Sequence, residues 1–486
     1  MALLDDYRRH DAVGLAKLVR EGVVTPEALL DHALKTAEAL NPGLNAIVSM
    51  NVDYARSQIV SAPKDAPLYG VPFLLKDIGA ETPAFPATDG SALMRGLPDT
   101  VTSTLFARLE AAGLVTFGRT AVPENAIGVA TEARANGGPT RNPWSLEHTP
   151  GGSSGGAAAA VAAGIVPAAH GSDGGGSIRV PASCTGLFGF KPTRGRMPDG
   201  PISGESWAGM ASDGFLTRSV RDTAALLDAS AGSDLGAPYT APDMPGSFTS
   251  ALTAPVGPLR IAFTDTTFDG RAIHADCSAA VHEAAALLEG LGHSVFPARP
   301  ASPDHQDMMS AWTDIVACGT ALTVRAALAE HGRTLLDDDV EPLTRGALQH
   351  AATLSGADYL SAVNRIHRYG RDMAQWFEDT CDVLLCPTLA EPPAKIGRFD
   401  HSNPDYVDYR TGPGGVFAYS PFAAAFNATG QPAMSVPLAW SSGDLPIGLH
   451  FAGRFGQDHV LMALAAQLEA ARPWFTRVPY LKDTSC

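Results

Sequence analysis

Residues 148–196 constrain this chain more than any other stretch. They read HTPGGSSGGAAAAVAAGIVPAAHGSDGGGSIRVPASCTGLFGFKPTRGR. Glycine and serine crowd around two short apolar segments. A flexible linker can be rich in glycine and serine, but it would not carry AAAAVAAG, a helix former, or IVPAAH, which reads as a strand. The glycines therefore mark places where the backbone takes unusual angles, or where its amides come close to a ligand. A folded core has to be built around this segment.

The rest of the chain can supply that core. Its 486 residues allow about three domains or one large one. With 45% apolar and 18% charged residues, a disordered or collagen-like chain is excluded. The formal charge, 35 − 51 = −16, argues against nucleic acid or an anionic membrane as partner. Six cysteines (Cys184, Cys277, Cys318, Cys381, Cys386, Cys486) are scattered with no C-x-x-C pair, as expected of reduced thiols in a cytoplasmic protein. The N-terminal MALLDDYRRHDAV has no apolar signal region. The longest apolar stretch, 157–166, is far short of the ~20 residues of a spanning helix.

Helix and strand patterns alternate. The first 40 residues read as helical, with Thr25-Pro26 opening a helix that Asn41-Pro42 should stop. Val71–Ile78 reads as a buried strand end, 100–112 as a helix and 114–117 as a strand. Strands are expected at 260–263, 294–297, 383–385, 434–438 and 447–452, with helices at 277–291 and 459–471. This pattern predicts an α/β layered fold, a sheet covered by helices on both faces. Residues 301–379 read as a mostly helical insertion. Residues 387–420, rich in proline, glycine and aromatics, read as a binding loop. No linker divides the chain, so one domain is expected.

Several motifs can be tested against the glycine-rich stretch. A P-loop needs Lys-Ser or Lys-Thr after its glycines, and none follows. Gly151-Gly152-Ser153-Ser154-Gly155 fits the G-x-S-x-G elbow of serine esterases, which would also need a histidine that the sequence does not single out. S-x-x-K at 61–64 lacks its companion motifs, and Pro63 breaks the helix it should open. H-E-x-x-H is absent, no other ligand spacing for zinc is seen, and the P-loop and dinucleotide fingerprints are missing or unsupported, so no metal and no cofactor is expected. A second serine, Ser177, follows Gly174, Gly175 and Gly176, whose amides could turn inward as an oxyanion hole. Lys76 lies inside the apolar run VPFLLKDI. Burial would lower its pKa and make it a general base, whereas a strand-end lysine that snorkels to solvent would do neither.

These residues together resemble the amidase signature family. GGSSGG at 151–156, GSDGGGSIRVPAS at 171–183, GFKPTRGR at 189–196, LLKD around Lys76, GPTRNPW at 138–144, FNATGQPAMSVP and LPIGLHFAG match it in order. The resemblance runs from about 25 to 472, is weakest over 301–420, and places the signature core at about 70–200. It implies an α/β/α fold with a mixed central sheet, and hydrolysis of amide C–N bonds. It further implies Ser177 as nucleophile, Ser153 as a bridging serine after a cis peptide, and Lys76 as base. The Gly174–Ser177 amides would form the oxyanion hole, with Ser154, Asp173 and Arg179 supporting the loop. Gly174 stands where many members carry a larger residue, which suggests a looser loop or more room for substrate.

Among subgroups, HGSDGGGSIR, RNPW and FNATGQPA are most similar to 6-aminohexanoate cyclic-dimer hydrolases and urethane-cleaving relatives. The substrate implied is a small amide or carbamate, and a homodimer is the implied assembly. A tRNA-dependent amidotransferase subunit is an alternative, although residues 419–432 lack the carboxylate such a subunit needs. A serine esterase using Ser153 and a histidine is another. Tyr406, Tyr409, Phe417, Tyr419, Phe422, Phe426 and Trp207 are candidate pocket aromatics, about half of them expected in the core, and Cys318 is a candidate lining thiol.

Overall fold

A computed structural model describes residues 7–300 and 304–479. Cys486 and residues 1–6 lie outside the described residues. Strands β1 (Ile47–Met50), β2 (Pro72–Lys76), β3 (Val115–Thr120), β4 (Ala168–Asp173), β5 (Phe188–Lys191), β6 (Ser212–Thr217), β7 (Arg260–Phe263), β8 (Ser294–Pro297), β9 (Val383–Pro387), β10 (Ala433–Trp440) and β11 (Pro446–Gly453) join in one sheet. Its order is β1-β3-β2-β4-β6-β5-β10-β11-β9-β7-β8. The pairs β3/β2, β2/β4, β9/β7 and β7/β8 are parallel and the others antiparallel. The expected mixed sheet is therefore present.

Alternation along the strands sorts the core. Phe73, Leu75, Phe188, Phe190, Phe215, Met434, Leu449 and Phe451 share one cluster that runs the length of the sheet. The opposite face carries two clusters. One packs Leu74, Ala169 and Leu216 against the helix Gly155–Ala162. The other packs Ala262, Leu384, Ala433 and Ala452 against the helices His305–His331 and Gly356–Thr380. The short helix Arg179–Thr185 lies at the seam, with Ala182 in the first cluster and Val180 and Cys184 in the second.

Two boundaries differ from the sequence reading. The helix Pro26–Leu44 runs through Pro42, because the proline falls in its last turn and costs only one backbone bond. The chain leaves it through Asn45, in the left-handed region, while Asn41 Oδ1 accepts from the Ala46 and Ile47 amides at 2.8 Å. The helix expected over 100–112 begins at Thr104, where Ser103 Oγ caps the Phe106 amide. The proposed binding loop, 387–420, also holds two short helices, Tyr406–Thr411 and Val416–Tyr419.

Every residue of Gly155–Ala162 is buried, as expected of a helix that is apolar all round. It carries alanine and glycine because larger groups do not fit. A Cβ on Gly156 would run into Ala121 N and lie 2.6 Å from Ala46 O and 2.7 Å from Ala121 O, all main chain. Gly156→Ala is therefore expected to destabilise the fold by about 1–3 kcal/mol, seen as a lower denaturation midpoint with an unchanged m-value.

Candidate active site

Lys76 is the last residue of β2, flanked by β3 and β4, and it faces the same side as Leu74. That is the side on which Gly155–Ala162 packs, so the amine meets the turn that opens this helix. Lys76 is 0% exposed and does not snorkel. Nζ lies 2.7 Å from Ser153 Oγ, 2.9 Å from Ser172 Oγ and 3.2 Å from Ser172 O. Burial pushes its pKa down from 10.5 to about 7, against the opposing charges of Asp213, Asp173 and Asp89. A neutral amine has two N–H groups and one lone pair. The two oxygens of Ser172 can take the N–H groups, leaving the lone pair for the Ser153 hydroxyl proton.

The backbone of Lys76 is held as firmly. Its N–H donates to His170 Nδ1 (3.3 Å), and its carbonyl accepts from Arg119 Nη1 (2.5 Å). His170 Nε2 in turn donates to Asp213 Oδ1 (3.0 Å), so the first contact fixes the ring's tautomer.

Ser153 follows a cis peptide bond from Gly152. A Cβ on Gly152 would lie 2.9 Å from Ala130 N and Gly128 O, so only glycine fits where the chain passes. Ser154 ties this turn to the second glycine loop. Its N–H donates to Ser177 O (3.2 Å), and its Oγ bridges the N–H and carbonyl of Ser172 (3.3 Å each). Among the described residues Ser153 Oγ meets Lys76 Nζ rather than a histidine, so the Ser–His esterase reading gains no support there. Ser177 is half-buried, and its Oγ has no hydrogen bond among the described residues, to Ser153 or to any other group.

Asp173 and Arg179 shape the second loop. Asp173 is fully buried and accepts from the amides of Gly176 (2.7 Å), Ile178 (3.1 Å) and Arg179 (3.3 Å). Arg179 grips it through Nε (2.9 Å) and Nη2 (2.7 Å), and Asn427 Nδ2 adds a bond at 3.0 Å. Against the cost of burial, the Arg179 charge and these bonds hold the carboxyl well below the usual carboxylate range. Arg179 Nη1 donates to Ala423 O (3.0 Å) and His450 Nε2 (2.9 Å); burial and the Arg179 charge keep that imidazole neutral.

The oxyanion reading is corrected at one amide. Gly176 N–H is spent on Asp173, so it cannot donate to a ligand. The Gly174, Gly175 and Ser177 amides remain. Each is aimed by a bond on the far side of its own peptide group, because N–H and C=O point in opposite directions across a trans peptide. Asp173 O accepts from Asn427 Nδ2 (2.8 Å), Gly174 O from Trp312 Nε1 (2.9 Å) and Gly176 O from Val180 N (2.7 Å).

Gly174 does not open the room expected of it. A Cβ there would lie 2.5 Å from Trp207 Cζ3, so the indole already fills the space. Tyr406, Tyr409, Phe417, Tyr419, Phe422 and Phe426 are all buried in the core rather than split between core and pocket. Trp207 is half-buried, as is Cys318. Sequence reasoning missed Ser172, His170, Asp213, Trp312 and Asn427. Ser172 had a signal, a hydroxyl between Gly171 and Asp173 in the quoted glycine-rich loop. His170 and Asn427 lie inside the quoted stretches HGSDGGGSIR and FNATGQPA but were not singled out there, and Asp213 and Trp312 lie outside every quoted motif. Among the described residues no helix is long and apolar enough to cross a membrane, and no group of three or more His, Cys, Asp or Glu is placed to hold a metal ion.

The structure thus brings a buried lysine onto one serine and places a second serine in a loop tied to the same turn. The Amidase family model matches residues 28–462. The chain is 35% identical to the 6-aminohexanoate-cyclic-dimer hydrolase of Paenarthrobacter ureafaciens over 482 residues, 98% of this chain and 97% of the relative. The solved structure of a 6-aminohexanoate cyclic dimer hydrolase complexed with substrate superposes with a TM-score of 0.92 at 34% identity, covering 98% of this chain and 99% of that one. A bacterial aryl acylamidase of the amidase signature enzymes superposes with a TM-score of 0.86 at 29% identity, covering 96% of both chains. This chain belongs to the amidase signature family and is a hydrolase of amide C–N bonds.

Arg179→Met would leave the Asp173 carboxylate buried without its cation. A loss of about 3–5 kcal/mol is expected, measured by equilibrium denaturation against the parent.

Proposed function

We propose that Ser177 is the nucleophile, Ser153 the proton bridge and Lys76 the general base. The observation that carries this reading is the 2.7 Å contact of a fully buried lysine amine with Ser153 Oγ. Ser177 Oγ attacks the amide carbonyl and passes its proton to Ser153 Oγ, which passes its own to Lys76 Nζ. The carbonyl oxygen becomes an oxyanion held by the Gly174, Gly175 and Ser177 amides. The relay then returns the proton to the leaving nitrogen, the C–N bond breaks, and water hydrolyses the acyl-enzyme. For this relay the Ser177 hydroxyl has to turn onto Ser153 when substrate binds, since catalytic hydrogen bonds often tighten only in the complex.

Cyclic and aryl amides are the proposed substrates, and carbamates are included because the same attack on a carbonyl cleaves them. The names of the relatives support the first two, and the half-buried Trp207 beside Gly174 offers an apolar surface to such groups. The five described cysteines are free thiols, which supports a reducing compartment such as the cytoplasm.

Ser177→Ala should abolish turnover and covalent labelling by a sulfonyl fluoride while circular dichroism stays unchanged. Labelling of the folded variant at another serine would overturn the assignment. The pH profile gives a second check. Lys76 must be neutral to accept a proton, so kcat/KM should rise with pH through about 7 and level off above it. Asp213 favours the ammonium, so Asp213→Asn should move that rise to lower pH, by roughly one unit. A rise that stays in place, or moves upward, would count against Lys76 as base.

A further inference from the structure

We propose that Trp207 and Trp312 are positioning residues for the oxyanion loop: Trp312 aims the Gly175 amide, and Trp207 fills the place that a side chain at position 174 would take. The proposal deepens the reading above and rests on it, because it presumes that the loop amides receive the oxyanion.

Trp312 lies on the helix His305–His331, and its Nε1 donates to Gly174 O at 2.9 Å. That bond fixes the 174–175 peptide plane and turns the Gly175 N–H to the opposite side. The indole also lies flush against the loop, since a Cβ on Gly175 would be 2.7 Å from Trp312 Cζ2. Phe417 packs edge-on to Trp312 at 5.4 Å, and the Arg410 guanidinium sits 5.1 Å from its centroid. The indole therefore has little freedom to release the carbonyl.

Trp207 enters from elsewhere. It opens a run of three left-handed residues, Trp207 (φ +50°), Ala208 (φ +53°) and Gly209 (φ +73°). A bulky residue seldom adopts that conformation, and here it is closed by the Met210 amide on Trp207 O at 3.1 Å. The ring lies between two glycines. A Cβ on Gly174 would be 2.5 Å from Cζ3 and 2.6 Å from Cε3, and one on Gly319 would be 2.6 Å from Cδ1 and 2.7 Å from Nε1. It also meets Trp312 edge to face, with centroids 5.9 Å apart at 79°. Removing the ring would leave a void against Gly174 and take away one wall of the Trp312 site.

This arrangement makes Gly174 and Trp207 mutually dependent, which a double-mutant cycle reads directly. Gly174→Ala should reduce kcat/KM at least tenfold, because the methyl group and the ring cannot both fit. Trp207→Ala should reduce it by less. The double variant Gly174→Ala/Trp207→Ala should recover at least tenfold over Gly174→Ala alone. Should Gly174→Ala fail to fold, recovery of folding in the double variant carries the same meaning. Trp312→Phe keeps a smaller aromatic ring on the helix but removes the donor together with part of the indole that packs on Gly175. It should lower kcat roughly tenfold with KM within twofold, and weaken a trifluoromethyl ketone, which forms the tetrahedral oxyanion, in proportion to kcat/KM. A merely structural role would not link those two losses. Full activity of Gly174→Ala, additive losses in the double variant, or a Trp312→Phe effect confined to KM would overturn the proposal. Labelling of wild type at Ser177 separates the two readings: without it the nucleophile assignment fails, and with it a negative cycle sinks the tryptophan proposal alone.

Discussion

Keeping one amine out of water, at the end of a central strand, governs much of what surrounds it. Lowering Lys76 from 10.5 to about 7 corresponds to roughly 5 kcal/mol of lost preference for the charged form. That loss is useful only if the neutral amine stays in place, because a mobile chain would reach solvent and recover its proton. The hydrogen bonds of the strand backbone to His170 and Arg119 fix the stem, and the two oxygens of Ser172 fix the head. Asp213 and Asp173 keep the amine from falling further, so it titrates near neutrality rather than far below.

The second constraint is a buried anion. Asp173 takes bonds from three loop amides, from Arg179 and from Asn427, and these offset the backbone freedom that three glycines lose when the loop is held in its curve. One consequence is that Gly176 faces inward, to the carboxylate, and is lost as a donor to substrate. The loop therefore carries one amide bonded back to its own carboxylate beside others that are left for the proposed oxyanion. Arg179 extends the same network to His450 on β11 and to Asn427, joining the signature segment to the C-terminal half of the sheet.

Much of this was legible in the sequence. The order of helices and strands followed from periodicity and from glycine and proline. The two serines, the lysine and the Asp173/Arg179 pair were picked out by resemblance to the ordered motifs of the amidase signature family, with Lys76 lying 77 residues before Ser153. Pro42 was misread: the helix carries it in its last turn and is capped at Asn45, three residues beyond it. The aromatics of 406–426 were misplaced in part because apolar spacing is the same for a core and a pocket wall.

The sequence by itself determined the fold class through strand and helix periodicity, and the amide chemistry through its ordered family motifs, because both are carried by neighbouring residues. Only the tertiary structure decided which amides stay free, which hydroxyls meet the amine and what fills the space at Gly174. Those outcomes depend on partners such as Trp312, 138 residues from Gly174, and Asn427, 254 residues from Asp173. Their approach is set by the packing of helices across the sheet, which no local pattern encodes.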